Sequence, residues 1–398
     1  MDDDKLSILN YVFSPTAPIK QRDLFFGRLD QISDVAMTIN ERGQHAILYG
    51  ERGVGKTSLA NIMINSFIDV LSSKVTCNRT ENFKSIWNKA LRNIEFYSKE
   101  KGIGFKAALK QDPYQLNLFL PPDKEDIDSS DIQIVLEKLD NKLLFIFDEF
   151  DSITDKQTKI RFADTIKSLS DNCPNITILI VGIAENISEL LGSHQSIERC
   201  LKQIKMPRMS PEELGEIIDK GLSRLETEME PIIRKKIIDY SSGFPNYTHL
   251  LCKYSAYSCL QKRTKSIDNI DFNFAVKQAL ANANEQMRIS LQKATISSKG
   301  KTQFESVICA VALAETDEYD CSSVTQILKQ YNKLTEKNST RESINYTLSA
   351  LCKDERGNIL EKAGISNNIK YRFKNPLLKA YIKLRLHNMR HQNSLPLK

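Results

Sequence analysis

Apolar runs alternate with amphipathic stretches over the first half of the chain, and only amphipathic stretches follow over the second half. Gln44–Tyr49 reads as a short buried strand, Leu143–Phe147 is an unbroken apolar run, and Ile176–Val181 is apolar except for Thr177. Runs that do not alternate fit strands buried on both faces of a parallel sheet. Val75–Cys77 reads as one more strand. Between these runs, helix-period faces recur: Ile32, Val35, Ala36 and Ile39; Leu59, Ile62 and Met63; Phe83, Ile86, Trp87, Ala90 and Leu91; Ile132 to Leu139; Phe162 to Leu169. Strand and helix in alternation predict an α/β fold, a parallel sheet covered by helices. Pro15 and Pro18 predict an extended lead-in over residues 1–22, and the Lys-, Pro- and Asp-rich stretch 98–128 an excursion from the sheet.

From Ser210 the period is helical throughout. Ser210-Pro211-Glu212-Glu213 supplies an N-cap, a proline at the first helical position and an acidic first turn. Helices are predicted over 231–241, 247–261 and 271–292. After a linker at 297–300 come helices over 303–314, 322–331 and 341–352, then paired strands at 358–361 and 370–374 around the tip 363–368. Three helices followed by a hairpin is the order of a winged helix. The expected organisation is an extension (1–22), an α/β domain (23–207), a helical lid (208–295) and a winged-helix domain (296–398).

Chemistry enters at the end of the first strand. Gly50-Glu51-Arg52-Gly53-Val54-Gly55-Lys56-Thr57 matches G-x-x-x-x-G-K-[ST] without a mismatch, between a strand and a helix. Glycines let successive N–H groups turn toward a phosphate, and the helix N-terminus adds partial positive charge. Gly50, Arg52, Gly53, Val54, Gly55, Lys56, Thr57 and Ser58 are therefore the candidate nucleotide-binding residues. Lys56 is expected on the β/γ-phosphates and Thr57 on Mg2+. The run ending Phe147-Asp148-Glu149 adds two carboxylates at the C-terminal end of a buried strand. Asp148 is expected to hold Mg2+ through water, and Glu149 to act as general base on the attacking water. The cofactors implied are ATP and Mg2+.

Composition is ordinary for a globular protein: 41% hydrophobic and 27% charged residues in 398. No apolar run is long enough to span a bilayer, and eight scattered cysteines without a C-x-x-C argue for reduced thiols and a cytoplasmic protein. His387 and His391 read as part of a solvated tail. Charge matters once located. Residues 301–398 hold 16 basic and 10 acidic residues, so the whole net +6 lies in the last quarter. A neutral body with a basic end points to an anionic partner for that end.

With these motifs in place, the chain over about 20–390 resembles AAA+ ATPases of the origin-recognition and replication-initiator type. That resemblance implies self-assembly and duplex DNA as partner. Phe25-Phe26-Gly27-Arg28 resembles the family's adenine-side box, which implies Phe26 and Arg28 at the base. Ser193 to Arg199 stands where the family places an arginine finger, which implies that Arg199 reaches the γ-phosphate of a neighbouring subunit. Asn186 is the nearest polar sensor, one position later than the pattern. One segment departs: Gly243-Phe244-Pro245 replaces the usual lid arginine and is similar to the Gly-x-Pro of STAND signalling ATPases, which implies Pro245 at the base. In the winged helix, Arg341, Asn345 and Tyr346 are the non-core positions of the helix expected in the major groove, and Lys370, Arg372 and Lys374 lie along the wing toward phosphates. A second function follows from the STAND likeness: a signalling or scaffold ATPase whose winged helix binds a protein, such as an effector in antiviral defence or a transposase.

Overall fold

A computed structural model describes residues 3–96, 114–184, 188–191, 197–296, 303–317, 319–364 and 368–393. The expected linker at 297–300, Asn186, Ser193–Ser196, half of the hairpin tip (365–367) and part of the 98–128 excursion lie outside these residues. The chain forms two compact units, residues 17–208 and residues 1–16 with 209–398.

The 17–208 unit is built on five parallel strands: β1 (His45–Gly50), β2 (Val70–Thr76), β3 (Lys142–Asp148), β4 (Ile176–Ile183) and β5 (Leu201–Lys205). Their order is β2-β3-β4-β1-β5. β3 is buried from Leu143 to Asp148 and β4 from Ile176 to Gly182, as unbroken apolar runs require of central strands. β5 is absent from the sequence reading because Leu-Lys-Gln-Ile-Lys is mostly polar at the sheet's edge, with only Leu201 and Ile204 buried. β2 is longer than its apolar end suggests, since Ser72, Ser73 and Lys74 belong to it.

Helix Phe83–Arg92 is fixed at its start by a capping box between Asn82 and Ser85. It brings Trp87 against Phe145 and Phe147 at ring-centroid distances of 5.3 and 5.2 Å. Phe162, on helix Lys156–Asn172, closes the cluster 4.8 Å from Phe147. This aromatic core holds β3 in place, and β3 delivers the acidic pair at its end.

In the second unit, helix Pro211–Arg224 starts with the expected capping box, Ser210 with Glu213. Helices Pro231–Ser241 and Pro245–Gln261 follow. The helix expected over 271–292 is two, Asn269–Ala281 and Glu285–Thr295, because the Asn282-Ala283-Asn284 break ends one and caps the next. Residues 3–12 are not extended: Asp3–Val12 is a helix that buries Leu9, Val12 and Phe13 in this unit. The prolines stop it only afterwards.

The last part holds helices Gln303–Leu313, Val324–Thr335 and Arg341–Ala350. Strand Lys370–Phe373 pairs antiparallel with Leu360–Ala363 on one side and with the two-residue strand Ser322–Ser323 on the other. Helix Leu377–Asn393 follows. His387 is not in a solvated tail: it packs 5.3 Å from the Tyr240 ring and 5.2 Å from the Phe272 ring, and burial lowers its pKa to about 4. Among the described residues, no helix is long and apolar enough to cross a membrane.

Candidate functional site

The phosphate loop leaves β1 at Gly50, whose φ is +150° and whose added Cβ would stand 2.4 Å from the Met206 carbonyl oxygen. Only glycine fits there, because β5 ends against that carbon. The loop ends at Gly55, φ +100°, where an added Cβ would meet nothing within 4 Å. Gly55 is the N-cap of helix Lys56–Ile64 and supplies no side-chain cap. The helices starting at Phe83, Ser129 and Lys156 in the same unit are all capped by Asn or Asp. This uncapped start keeps its first-turn N–H groups for an anion.

Lys56 is 7% exposed. Its ammonium donates to the carbonyls of Gly50 at 2.9 Å and Glu51 at 2.7 Å. Burial lowers its pKa to about 8, against the opposing pull of Asp151, Asp148 and Glu51. Thr57 donates its hydroxyl to Asp148 Oδ1 at 3.3 Å. The Glu149 N–H donates to the same oxygen at 3.0 Å. Glu149 is exposed at the C-terminal edge of the sheet, in a left-handed conformation with φ +55°. A carboxylate and a hydroxyl are hard oxygen donors of the kind Mg2+ prefers. The site thus fits both a polyphosphate and its cation.

Arg28 is 2% exposed and donates to the carbonyls of Val54 at 3.1 Å and Pro207 at 2.6 Å. Its guanidinium braces the loop from below. Phe26 beside it is buried, and Arg52 is exposed. Ser58 accepts the Ile19 N–H at 3.1 Å and so ties the incoming chain to the loop's helix. Arg199, one residue before Cys200, whose carbonyl accepts the His45 N–H, sits at the N-terminal edge of the sheet and pairs with Asp171. Pro245 is the first residue of its helix in the other unit, after Ser242 and Gly243 in left-handed conformations.

In the C-terminal part, Ile344 and Leu348 face the core, and Arg341, Asn345 and Tyr346 are exposed. Arg341 donates to the Thr325 hydroxyl. Two of the three cations expected along a wing are engaged inside the chain: Lys370 pairs with Asp317 at 2.8 Å and Arg372 with Glu361 at 2.6 Å. Lys374 is exposed just past the strand.

Spacing assigns no role to three residues that touch the site. Lys74 on β2 places its ammonium 2.9 Å from Asp148 Oδ2, close enough for an ion pair though not aligned as a hydrogen bond. Asp151 accepts the Ile183 N–H at 2.8 Å and pins the end of β4 to the turn after β3. Arg208 pairs with Glu51 of the loop at 2.8 Å. The signal for Lys74 is a lysine inside a strand that precedes a buried carboxylate, visible only once β2 is known to reach back to Val70.

A parallel sheet in the order β2-β3-β4-β1-β5, with a phosphate loop after β1 and an acidic pair after β3, defines a P-loop nucleoside triphosphatase. Residues 18–318 match the family described as novel STAND NTPase 1, nSTAND1. The chain belongs to that family. Its fold is similar to that of a Walker-type ATPase of Pyrococcus abyssi, at 15% identity over 94% of this chain and 99% of that one, with a TM-score of 0.54. It is also similar to the ORC2 protein of Aeropyrum pernix, solved as ADPNP–ADP complexes, at 15% identity over 97% and 98%, with a TM-score of 0.51. No curated protein matches the sequence.

Proposed function

We propose that the chain is an ATP-driven switch that binds and hydrolyses ATP at the loop after β1. The observation that carries this reading is the meeting of the Thr57 hydroxyl with Asp148 beside the uncapped helix start, with Glu149 exposed next to them. Lys56 exchanges the Gly50 and Glu51 carbonyls for β/γ-phosphate oxygens. Thr57 and Asp148 would hold Mg2+, which would supply charge to offset that of the transferred phosphoryl group. Glu149 takes the proton of the attacking water. Wild-type protein that bound no ATP at millimolar nucleotide with Mg2+ would overturn this assignment.

Assembly with a second copy is part of the proposal. Leu201 is opposite His45 at the start of β1, whereas the phosphate loop leaves β1 at Gly50. At about 3.3 Å per residue the strand separates Arg199 from its own loop by roughly 16 Å. That distance from its own loop supports the reading in which Arg199 serves a neighbour's γ-phosphate.

The part from 303 to 393 has the helix and hairpin order of a winged helix, and we assign duplex DNA as its first partner. Arg341, Asn345 and Tyr346 meet base edges and Lys374 meets phosphate. A second reading, a protein partner such as a defence effector, is favoured by the pairing of Lys370 and Arg372 with carboxylates. The measurement that separates the two is duplex affinity at about 50 mM salt, with and without ATP; no affinity in either case leaves the protein partner.

A further inference from the structure

Lys74 stands opposite Ile146 in the register of β2 with β3. Neighbouring Ser73 donates to the Ala90 carbonyl of helix Phe83–Arg92, so Lys74 points to the other face of the sheet. There its ammonium donates to Asn61 Oδ1 at 2.7 Å, on the helix that begins at Lys56, and lies 2.9 Å from Asp148 Oδ2. The other oxygen of Asp148 already accepts from Thr57 and from the Glu149 N–H. Both partners of the ion pair are largely sealed, at 16% and 3% side-chain exposure. Each oxygen of the carboxylate expected to hold the cation is thus engaged, one of them by a fixed positive charge.

We propose that Lys74 is a positioning residue that gates the metal: it holds Asp148 so that a divalent cation enters only in company with a nucleotide's phosphates. A bare dication approaching Asp148 meets the ammonium groups of Lys74 and Lys56 in a poorly solvated place, where like charges repel strongly. A polyphosphate brings the negative charge that offsets both. The inference rests on the nucleotide reading of the site and adds the order in which the site fills.

The test uses the full chain without nucleotide and Mn2+ as the probe, with free Mn2+ read by electron paramagnetic resonance. Lys74→Met is expected to bind Mn2+ about tenfold more tightly than wild type, the effect of removing roughly 1.4 kcal/mol of repulsion. Lys74→Arg is expected to match wild type. In parallel, the factor by which Mg2+ tightens ADP binding should shrink in Lys74→Met, since coupling between two ligands is reciprocal. A purely structural Lys74 would lower the melting temperature and leave both metal readouts unchanged. Equal Mn2+ affinity in wild type and Lys74→Met, with ADP bound by both, overturns the gate and spares the nucleotide reading. Wild type that binds no ADP overturns both. Should Lys74→Met fail to fold, Lys74→Gln carries the same expectations.

Discussion

Glu149 spends its backbone in the left-handed region, φ +55°, where a side chain other than glycine's is strained. The turn is held because Ser152 donates to the Glu149 carbonyl through both its N–H, at 2.9 Å, and its hydroxyl, at 2.7 Å. The result is a carboxylate turned out at the sheet's edge while Asp148 stays buried. Glu149→Gln should retain ATP affinity and lose turnover by about 10²–10⁴-fold, the scale of general-base catalysis. Phosphate release at saturating ATP checks it, and a wild-type rate would remove Glu149 from that role. Lys56→Ala should instead abolish ATP binding, read by fluorescent-nucleotide titration. A separate residue contributes to stability in acid. His45 is fully buried and accepts the Ile178 N–H on Nδ1 at 3.0 Å, and burial lowers its pKa from 6.5 to about 4. The folded state therefore favours the neutral imidazole. Its contribution is complete above 6.5, is lost as pH falls from 6.5 toward 4, and costs about 2 kcal/mol by pH 5. The single tryptophan, Trp87, is buried in the same unit, so its fluorescence during urea unfolding at pH 7 and pH 5 measures this loss. A His45→Asn protein should show a weaker pH dependence.

Among the elements, helix Asp3–Val12 and the following Phe13 show how packing overrides punctuation. A Cβ on Gly221 would stand 2.4 and 2.6 Å from the Phe13 ring, so helix Pro211–Arg224 carries a glycine where that ring lies against it. Gly221→Ala should destabilise this unit by roughly 1–3 kcal/mol through overpacking. It should also open the N-terminal helix to limited proteolysis; unchanged melting and cleavage would mean that the ring relocates at no cost. The same contact marks the limit of reading elements from sequence. Leu9, Val12 and Phe13 carry the information that residues 3–12 are helical, but the docking surface comes from residues more than 200 positions later. Strands β3 and β4 were legible because central parallel strands must be apolar on both faces. β5 was not, because an edge strand needs only Leu201 and Ile204 inside. The loop and acidic pair were legible because phosphate chemistry fixes residue types at fixed spacing. Lys74, Asp151 and Arg208 were not, since contacts between segments distant in sequence leave no local spacing. The ion pairs of Lys370 and Arg372 were hidden for a related reason: a sequence displays the two cations but not the carboxylates folded onto them.

At the scale of the molecule, the proposed switch is tested through assembly and charge. If Arg199 is an arginine finger, as proposed, Arg199→Ala should leave ATP binding intact and lower turnover by about 10³-fold or more. Mixing it with Lys56→Ala should restore partial turnover, because a Lys56→Ala copy lends Arg199 to an intact loop; no recovery at any ratio in an oligomer would remove the trans assignment. The DNA reading makes a sharper demand. Each phosphate contact contributes about 0.9 to the slope of log affinity against log salt. Three free wing cations would give roughly 3, but Lys370 and Arg372 are paired with Asp317 and Glu361. Lys374→Ala should therefore make the slope shallower by about 1. Lys370→Ala and Arg372→Ala should leave the slope nearly unchanged, while their lost ion pairs cost at most about 1 kcal/mol of stability each. Arg341→Ala and Asn345→Ala should alter preference among duplex sequences rather than the salt slope. If all three wing substitutions lowered the slope equally, the two ion pairs would have to open on DNA. If none did, the excess positive charge of the last quarter would serve a surface other than the wing.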